Sequence, residues 1–71
     1  MAKPGTIARR IVFFRTEAGL SAADLARALD VSTAAVSHWE NLGPGPKLKN
    51  LIRIAEVCGI EVSQLLDGAE A

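Results

Sequence analysis

Residues 21–41 read SAADLARALDVSTAAVSHWEN, and their pattern predicts two short helices joined by a tight turn. Ser21 stands three residues before Asp24, which is the capping-box pattern that opens a helix, and the apolar spacing continues that helix to about Leu29. Asp30 follows, and aspartate accepts the left-handed backbone conformation that a tight turn requires, although less readily than glycine does. The helix is therefore predicted to end in a turn of very few residues.

A second helix is predicted directly after this turn. Ser32 is its expected N-cap, and the helix itself is predicted over Thr33–Asn41. Ala26 is small, as a residue must be where two helix backbones cross closely at near a right angle. The shared core is supplied by large apolar residues of both helices, namely Leu25, Leu29, Val31, Val36 and Trp39. This steric pattern predicts a helix-turn-helix.

Helical periodicity predicts three further helices around this pair. The first starts after the N-cap Thr6 and stops at Gly19. The run 43–46, GPGP, cannot lie inside a helix, because proline lacks an N–H and disfavours helical angles in the residue before it. A fourth helix follows and ends at Gly59, and a short fifth helix is predicted over Val62–Leu66. The buried stripe of the fourth helix is predicted as Leu48, Leu51, Ile54, Ala55 and Cys58.

The length of the chain predicts a single domain. Seventy-one residues cannot be divided between two cores that both stay folded. We expect residues 1–5 to form a flexible basic N-terminal arm, residues 6–68 to form the helix-turn-helix domain, and residues 69–71 to form a tail. Since no segment shows the alternation of a strand, the predicted fold class is all-α with five short helices.

The charge pattern is ambiguous. Eight basic and eight acidic residues give a net charge of zero, whereas nucleic-acid-binding modules usually carry an excess of Lys and Arg. The basic residues nevertheless cluster, as Lys3, Arg9, Arg10 and Arg15 near the start and as Lys47, Lys49 and Arg53 later. Charge alone leaves open both a DNA-binding surface and an ordinary solvated surface.

The sequence offers no pattern of residues for catalysis or metal binding. His38 and Cys58 lie twenty residues apart and lack the companions that a tetrahedral zinc site needs. There is no nucleophile with a base and an acid, no glycine-rich phosphate loop and no carboxylate pair. We expect no enzyme activity, metal, cofactor or small-molecule ligand. The lone thiol and the lack of a membrane-length apolar run predict a cytoplasmic location and no membrane partner.

Several short motifs occur at spacings that, taken together, are specific for a protein family. They are Gly19-Leu20-Ser21, Leu25-Ala26, Val31-Ser32, Val36-Ser37, Trp39-Glu40, Ile54-Ala55, Gly59-Ile60 and Leu65-Leu66. Through them, residues 7–68 resemble the lambda repressor/Cro-like family of helix-turn-helix transcriptional regulators. The resemblance implies a bacterial or phage-encoded homodimer that binds double-stranded operator DNA of partly palindromic sequence. It also implies an internal ion pair between Arg15 and Glu40.

The resemblance further implies which residues read the DNA bases. The third helix of the family lies in the major groove, and the matching outer residues here are Thr33, Ala34, Ser37 and His38. Ala34 offers only a methyl contact to thymine, and only His38 has reach. Because none of the four makes a bidentate contact, we expect weak direct readout for each half-site. DNA shape, the arm around Lys3 or the pairing of two half-sites would then add specificity.

Phosphate contacts are implied at the helix starts and after the turn that follows the third helix. The expected phosphate-binding residues are Ser21, Ser32, Asn41, Lys47 and Lys49. The chain departs from its relatives at Ala22, where the family commonly has a glutamine that clamps a phosphate. This departure removes one expected hydrogen bond.

Val12 and Phe13 stand where relatives usually have polar residues, and Phe13 falls off the apolar stripe of Ile7, Ile11 and Phe14. If they are exposed, they form a protein contact surface, for which the partner could be another copy; otherwise the first helix buries a wider arc. The main hypothesis is a sequence-specific DNA-binding regulator, a repressor. The alternative is a protein-interaction module of the same fold, acting as an adaptor or an antitoxin-like partner binder.

Overall fold

A computed structural model describes residues 6–41 and 45–66, which fold into five α-helices. The helices are α1 (Ile7–Glu17), α2 (Ala22–Leu29), α3 (Thr33–Asn41), α4 (Leu48–Cys58) and α5 (Val62–Leu66). The predicted all-α fold with five short helices is confirmed. The predicted arm over 1–5, residues 42–44 of the predicted break, and residues 67–71 with the predicted domain end and tail lie outside the described residues.

The starts of the first three helices follow from local side-chain hydrogen bonds. The Thr6 hydroxyl accepts a backbone N–H of α1 at 3.2 Å. At α2 the Ser21 hydroxyl accepts the Asp24 N–H and the Asp24 carboxylate accepts the Ser21 N–H, both at 3.0 Å, so the predicted capping box is complete. At α3 the Ser32 hydroxyl accepts the N–H of Ala35 at 3.0 Å. Each bond satisfies a backbone donor that the helix itself leaves unpaired.

Left-handed residues lie at three of the helix ends. Gly19 follows α1 with φ +77°, and Gly59 follows α4 with φ +73°. Asp30 ends α2 with φ +58° and is the one non-glycine residue of the described chain with a positive φ. This conformation lets the chain turn within the three residues between α2 and α3, because the N–H of Val31 then reaches the carbonyl of Ala26 at 3.0 Å. The predicted left-handed turn at Asp30 is confirmed.

The helices surround one apolar core, and α2 and α3 are its most extensively packed pair. Helix α1 packs against α3, α4 and α5, and α2 also packs against α4. The buried apolar residues are Ile11, Phe14, Leu25, Ala26, Leu29, Val36, Trp39, Leu51, Ile54, Ala55 and Leu65. Trp39 therefore belongs to the core, and Val31 and Cys58 pack against it partly buried. Partial burial raises the pKa of the Cys58 thiol, which favours its protonated form.

One residue of the predicted stripe on α4 is not buried. Leu48 is 59% exposed, although its spacing from Leu51 suggested a place in the core. It is the first residue of α4, and no neighbouring element among the described residues covers it. Periodicity identifies the face of a helix but not how far the neighbouring helices extend along that face.

The capping box of α2 makes stability depend on the ionisation of Asp24. Hydrogen bonds from Ser21, first from its backbone N–H, and then the nearby Arg27 lower the pKa of Asp24 from its ordinary value. A carboxyl group whose pKa is lower in the folded state stabilises the fold above its unfolded pKa of about 3.9. That contribution is lost as the pH falls through the folded value.

We therefore expect Asp24→Asn to lower the urea midpoint at pH 7 and to leave it close to wild type near pH 2. The control is Glu56→Gln, because Glu56 is exposed and its side chain makes no hydrogen bond or ion pair within the described residues. Urea unfolding followed by circular dichroism at both pH values measures the effect. An Asp24→Asn deficit of equal size at both pH values would contradict the assignment.

Candidate nucleic-acid interface

Helix α3 has one buried side and one exposed side. Val36 is fully buried and Trp39 is 9% exposed, so these two residues fix how the helix is rotated against the core. The four residues predicted to read bases are all exposed: Thr33, Ala34, Ser37 and His38. The structure thus places the four side chains on the surface of a single helix.

The exposed side of α3 is free of acidic groups. Glu40 is the helix's only acidic residue, and its side chain is 7% exposed. Arg15 of α1 donates from Nε to Glu40 Oε2 at 2.7 Å and from Nη2 to Oε1 at 3.2 Å, and it also donates to the carbonyl of Leu20 at 3.1 Å. The hydrogen bond to Glu40 raises the pKa of the Arg15 guanidinium. The implied internal ion pair is confirmed, and it neutralises the one charge of α3 that would repel phosphate.

Asn41, a predicted phosphate contact, lies exposed at the end of α3. Its Nδ2 donates to the backbone carbonyl of Ser37 at 2.9 Å and lies 3.4 Å from the Ser37 hydroxyl. An amide nitrogen carries two hydrogens, and the first is held by the carbonyl. The second is only weakly engaged, so it is the donor that Asn41 has available for a phosphate.

Ser21 and Ser32 are exposed N-caps whose surroundings differ. Each hydroxyl accepts a backbone N–H and keeps its own hydrogen for donation to an anion. At Ser32 the start of α3 adds the partial positive charge of a helix N-terminus. At Ser21 the ionised carboxylate of Asp24 occupies that position, and Arg27, 3.2 Å away, offsets it only in part. The local electrostatics favour an anion at Ser32 over one at Ser21.

Two lysines flank the start of α4. Lys47 is the N-cap residue without a side-chain capping bond, and both Lys47 and Lys49 are exposed. Neither makes an ion pair within the described part of the chain. Arg53, further along α4, points elsewhere, because its Nη2 lies 3.5 Å from the carbonyl of Ala28 at the carboxyl end of α2. Lys47 and Lys49 are therefore free to neutralise phosphates.

The basic cluster predicted near the start of the chain does not form a common charged surface. Arg10 is 6% exposed and donates from Nη1 to the carbonyl of Gln64 in α5, which ties α1 to α5. Arg15 is paired with Glu40, and Lys3 lies outside the described residues. Only Arg9 of this cluster has an exposed side chain in the described chain. Arg10 therefore adds nothing to a basic surface on α1, contrary to its place in the basic group of the sequence, whereas the internal role that the resemblance implied for Arg15 is confirmed.

The sequence left open whether Val12 and Phe13 are exposed or are buried by a wider arc of the first helix. In the structure both residues are partly exposed. The ring of Phe13 meets Phe14 edge to face, with ring centres 5.1 Å apart, and packs against the core. Val12 and Phe13 also line an open groove together with Arg9, Thr16, Glu17, Glu40 and Asn41. This groove was not predicted from the sequence, although spacings of three and four residues from Arg9 place its α1 members on one side of the helix.

Two further properties concern the described residues alone. None of the five helices is long and apolar enough to cross a membrane. No group of three or more His, Cys, Asp or Glu side chains in residues 6–41 and 45–66 is placed to hold a metal ion.

A comparison with protein families identifies the fold. A family model described as Helix-turn-helix matches residues 13–65, which contain α2, the turn at Asp30 and α3. No curated protein and no solved structure matches the chain. The family match covers more than half of the chain and confirms the resemblance seen in its motifs. The chain belongs to the lambda repressor/Cro-like helix-turn-helix family of DNA-binding regulators.

Proposed function

We propose that the protein is a sequence-specific transcriptional repressor that binds double-stranded DNA as a homodimer and reads the major groove with α3. Membership of the family supports double-stranded DNA as the ligand. The observation that carries the proposal is the exposed side of α3, which is polar and free of acidic groups because Glu40 is held by Arg15. We place this activity in the cytoplasm and assign the protein a bacterial or phage origin.

Base reading is assigned to Thr33, Ala34, Ser37 and His38. In the major groove a hydroxyl makes single hydrogen bonds and a methyl group contacts thymine, whereas a bidentate pair contributes about 1–3 kcal/mol of discrimination. None of these four side chains makes a bidentate pair with a base. One copy of the domain is therefore expected to discriminate weakly, and a second copy on a second half-site adds specificity.

The size of the domain agrees with one half-site for each copy. Its extents are 30 × 23 × 21 Å, and half-sites of helix-turn-helix dimers lie about 34 Å apart along DNA. Each copy offers a single α3, so two copies are needed to fill two successive major grooves on the same side of the duplex. A partly palindromic operator with half-site centres about ten base pairs apart is the expected target.

The test is selection of bound duplexes from a randomised library at moderate salt. Enrichment of an inverted repeat with that spacing supports a dimeric operator binder. Absence of enrichment would overturn the proposal. It would favour the second candidate function, a protein-interaction module of the same fold that acts as an adaptor or an antitoxin-like partner. That candidate draws on one observation, the groove lined by the partly exposed Val12 and Phe13.

Phosphate binding is assigned to Ser32, Asn41, Lys47 and Lys49, with a weaker role for Ser21. We expect the double variant Lys47→Ala/Lys49→Ala to reduce the slope of log affinity against log salt by about 0.9 for each phosphate that it no longer neutralises. Titration of the selected duplex at several salt concentrations measures this slope. The matched control is Arg53→Ala, which removes a charge from the same helix but at the carboxyl end of α2. An unchanged slope in the double variant, or an equal reduction in the control, would contradict the assignment.

A further inference from the structure

The groove along α1 has no role in the proposed contacts with DNA, apart from Asn41 at its edge. Val12 and Phe13 lie in the middle of its α1 side, with Arg9 toward one end and Glu17 toward the other. Eight residues separate Arg9 from Glu17, which is about 12 Å along a helix. The exposed side of α1 is thus a short apolar centre between one positive and one negative charge.

Both end charges are available for an external partner. Arg9 and Glu17 are exposed, and neither makes an ion pair within residues 6–41 and 45–66. The other charged groups of this region are engaged internally, since Arg15 is held by Glu40.

The order of these residues is self-complementary. Phe13 is midway between Arg9 and Glu17, so a second α1 lying antiparallel brings Arg9 opposite the partner's Glu17 and Glu17 opposite the partner's Arg9. The same arrangement places Phe13 against the partner's Phe13, with Val12 beside this contact on each copy. A two-fold symmetric interface requires this reciprocity, in which each contact between two residues occurs twice.

We propose that a second copy of this chain docks on this groove, with its α1 antiparallel to the first. The apolar contacts of Val12 and Phe13 lie at the centre, and two ion pairs between Arg9 and Glu17 close the ends. This interface forms the homodimer that the proposed function requires. The inference rests on the proposed function only for the role of the dimer on DNA. The self-association itself needs no DNA.

The exposed large apolar residues of the described chain form a poorer interface than the partly exposed Val12 and Phe13. Leu48, Ile52 and Val57 all lie on α4. Nine residues separate Leu48 from Val57, which at about 100° for each residue places them on opposite sides of the helix. Leu48 also lies between Lys47 and Lys49, which are assigned to phosphates. These residues therefore do not form one continuous patch away from the DNA.

The proposed interface is small. Two partly exposed apolar residues from each copy bury far less than the roughly 1,200 Å² that specific, stable complexes bury. Association in free solution is therefore expected to be weak and to depend on concentration and on salt. Two adjacent half-sites on DNA would hold the copies together by raising their effective concentration.

The test uses charge reversals on the complete chain, with sedimentation velocity over a wide concentration range at low salt. We expect the wild type to dimerise, and Arg9→Glu and Glu17→Arg each to weaken dimerisation about tenfold, because each variant places like charges together at both ends of the interface. An equimolar mixture of the two variants restores opposite charges at both ends. It should regain the dimer as a heterodimer, as should the double variant Arg9→Glu/Glu17→Arg.

The matched control is Glu56→Arg, an exposed charge reversal on α4 that should leave dimerisation unchanged, and circular dichroism checks that each variant is folded. A monomeric wild type, a mixture as monomeric as the single variants, or loss of the dimer in Glu56→Arg would overturn the interface. The proposed function is tested separately by duplex selection. If the chain dimerises in this way but enriches no duplex, the proposed interface stands and the proposed operator binding is wrong. If the chain enriches an inverted repeat but stays monomeric in solution, the proposed operator binding stands and the interface is wrong.

Discussion

Replacing Arg15 by alanine is expected to lower the free energy of unfolding by about 3 kcal/mol. The Glu40 side chain is 7% exposed, and two hydrogen bonds of 2.7 and 3.2 Å from Arg15 compensate its charge. Without Arg15 the carboxylate stays buried and unpaired, which costs far more than the ion pair itself contributes. A domain of this size obtains only about 3–5 kcal/mol from its core, so the variant is expected to be largely unfolded at 37 °C.

The converse variant is expected to be milder. In Glu40→Ala the Arg15 guanidinium, which is 17% exposed, keeps its bond to the Leu20 carbonyl and can turn toward water. We expect a loss of about 1–2 kcal/mol for that variant and less than about 0.5 kcal/mol for the exposed control Glu56→Ala. Urea unfolding at 25 °C and pH 7 measures all three. If Arg15→Ala unfolds within 1 kcal/mol of wild type, the pair does not stabilise the junction of α1 and α3.

The positions of the five helices could be predicted from the sequence because they depend on neighbouring residues. A hydroxyl at Ser21 or Ser32 bonds a backbone group three residues away, and a left-handed residue at Asp30 ends its own helix. These interactions act within one turn of chain, so the sequence contains all that is needed to locate them. The rotation of α3, with Val36 and Trp39 inward, followed from periodicity in the same way.

Features that depend on distant parts of the chain could not be predicted from periodicity, and the ion pair between Arg15 and Glu40 was implied only by the family resemblance. Arg10 looked like one of several surface arginines, but its donor meets the carbonyl of Gln64, fifty-four positions away. The exposure of Leu48 and the half-burial of Phe13 depend on how far other helices extend. Periodicity carries no such information, because it describes a helix without its neighbours.

The zero net charge also has a structural explanation. The guanidinium groups of Arg10 and Arg15 are bound inside the fold, and the carboxylate of Glu40 is neutralised there. The counts of basic and of acidic residues in the chain therefore both exceed the numbers of such charges at the surface. For the proposed contacts with DNA, the relevant features are the absence of acidic groups on the exposed side of α3 and the presence of Lys47 and Lys49 at the start of α4. The net charge of the chain therefore does not show which charges lie on the exposed surface of α3 and at the start of α4.

Ala26→Leu is expected to cost about 3 kcal/mol of stability and to abolish DNA binding. Ala26 is 2% exposed within the core that α2 and α3 share, and its carbonyl accepts the Val31 N–H that closes the turn. Three added carbon atoms have no room there and must push the two helices apart, and overpacking of this kind costs about 1–3 kcal/mol or more. The angle between α2 and α3 sets how Ser21 and Ser32 are placed relative to each other and to His38.

The matched control is Ala28→Leu, which makes the same change two residues later on the exposed side of α2. It is expected to stay within about 0.5 kcal/mol of wild type and to keep its affinity. Urea unfolding and duplex binding at 5 °C, where any folded Ala26→Leu remains observable, separate the loss of the fold from the loss of the interface. If Ala26→Leu binds DNA as Ala28→Leu does, the small residue at this position is not what lets the two helices cross. The placement of α3 against DNA would then have to depend on the ion pair between Arg15 and Glu40, which ties the other end of α3 to α1.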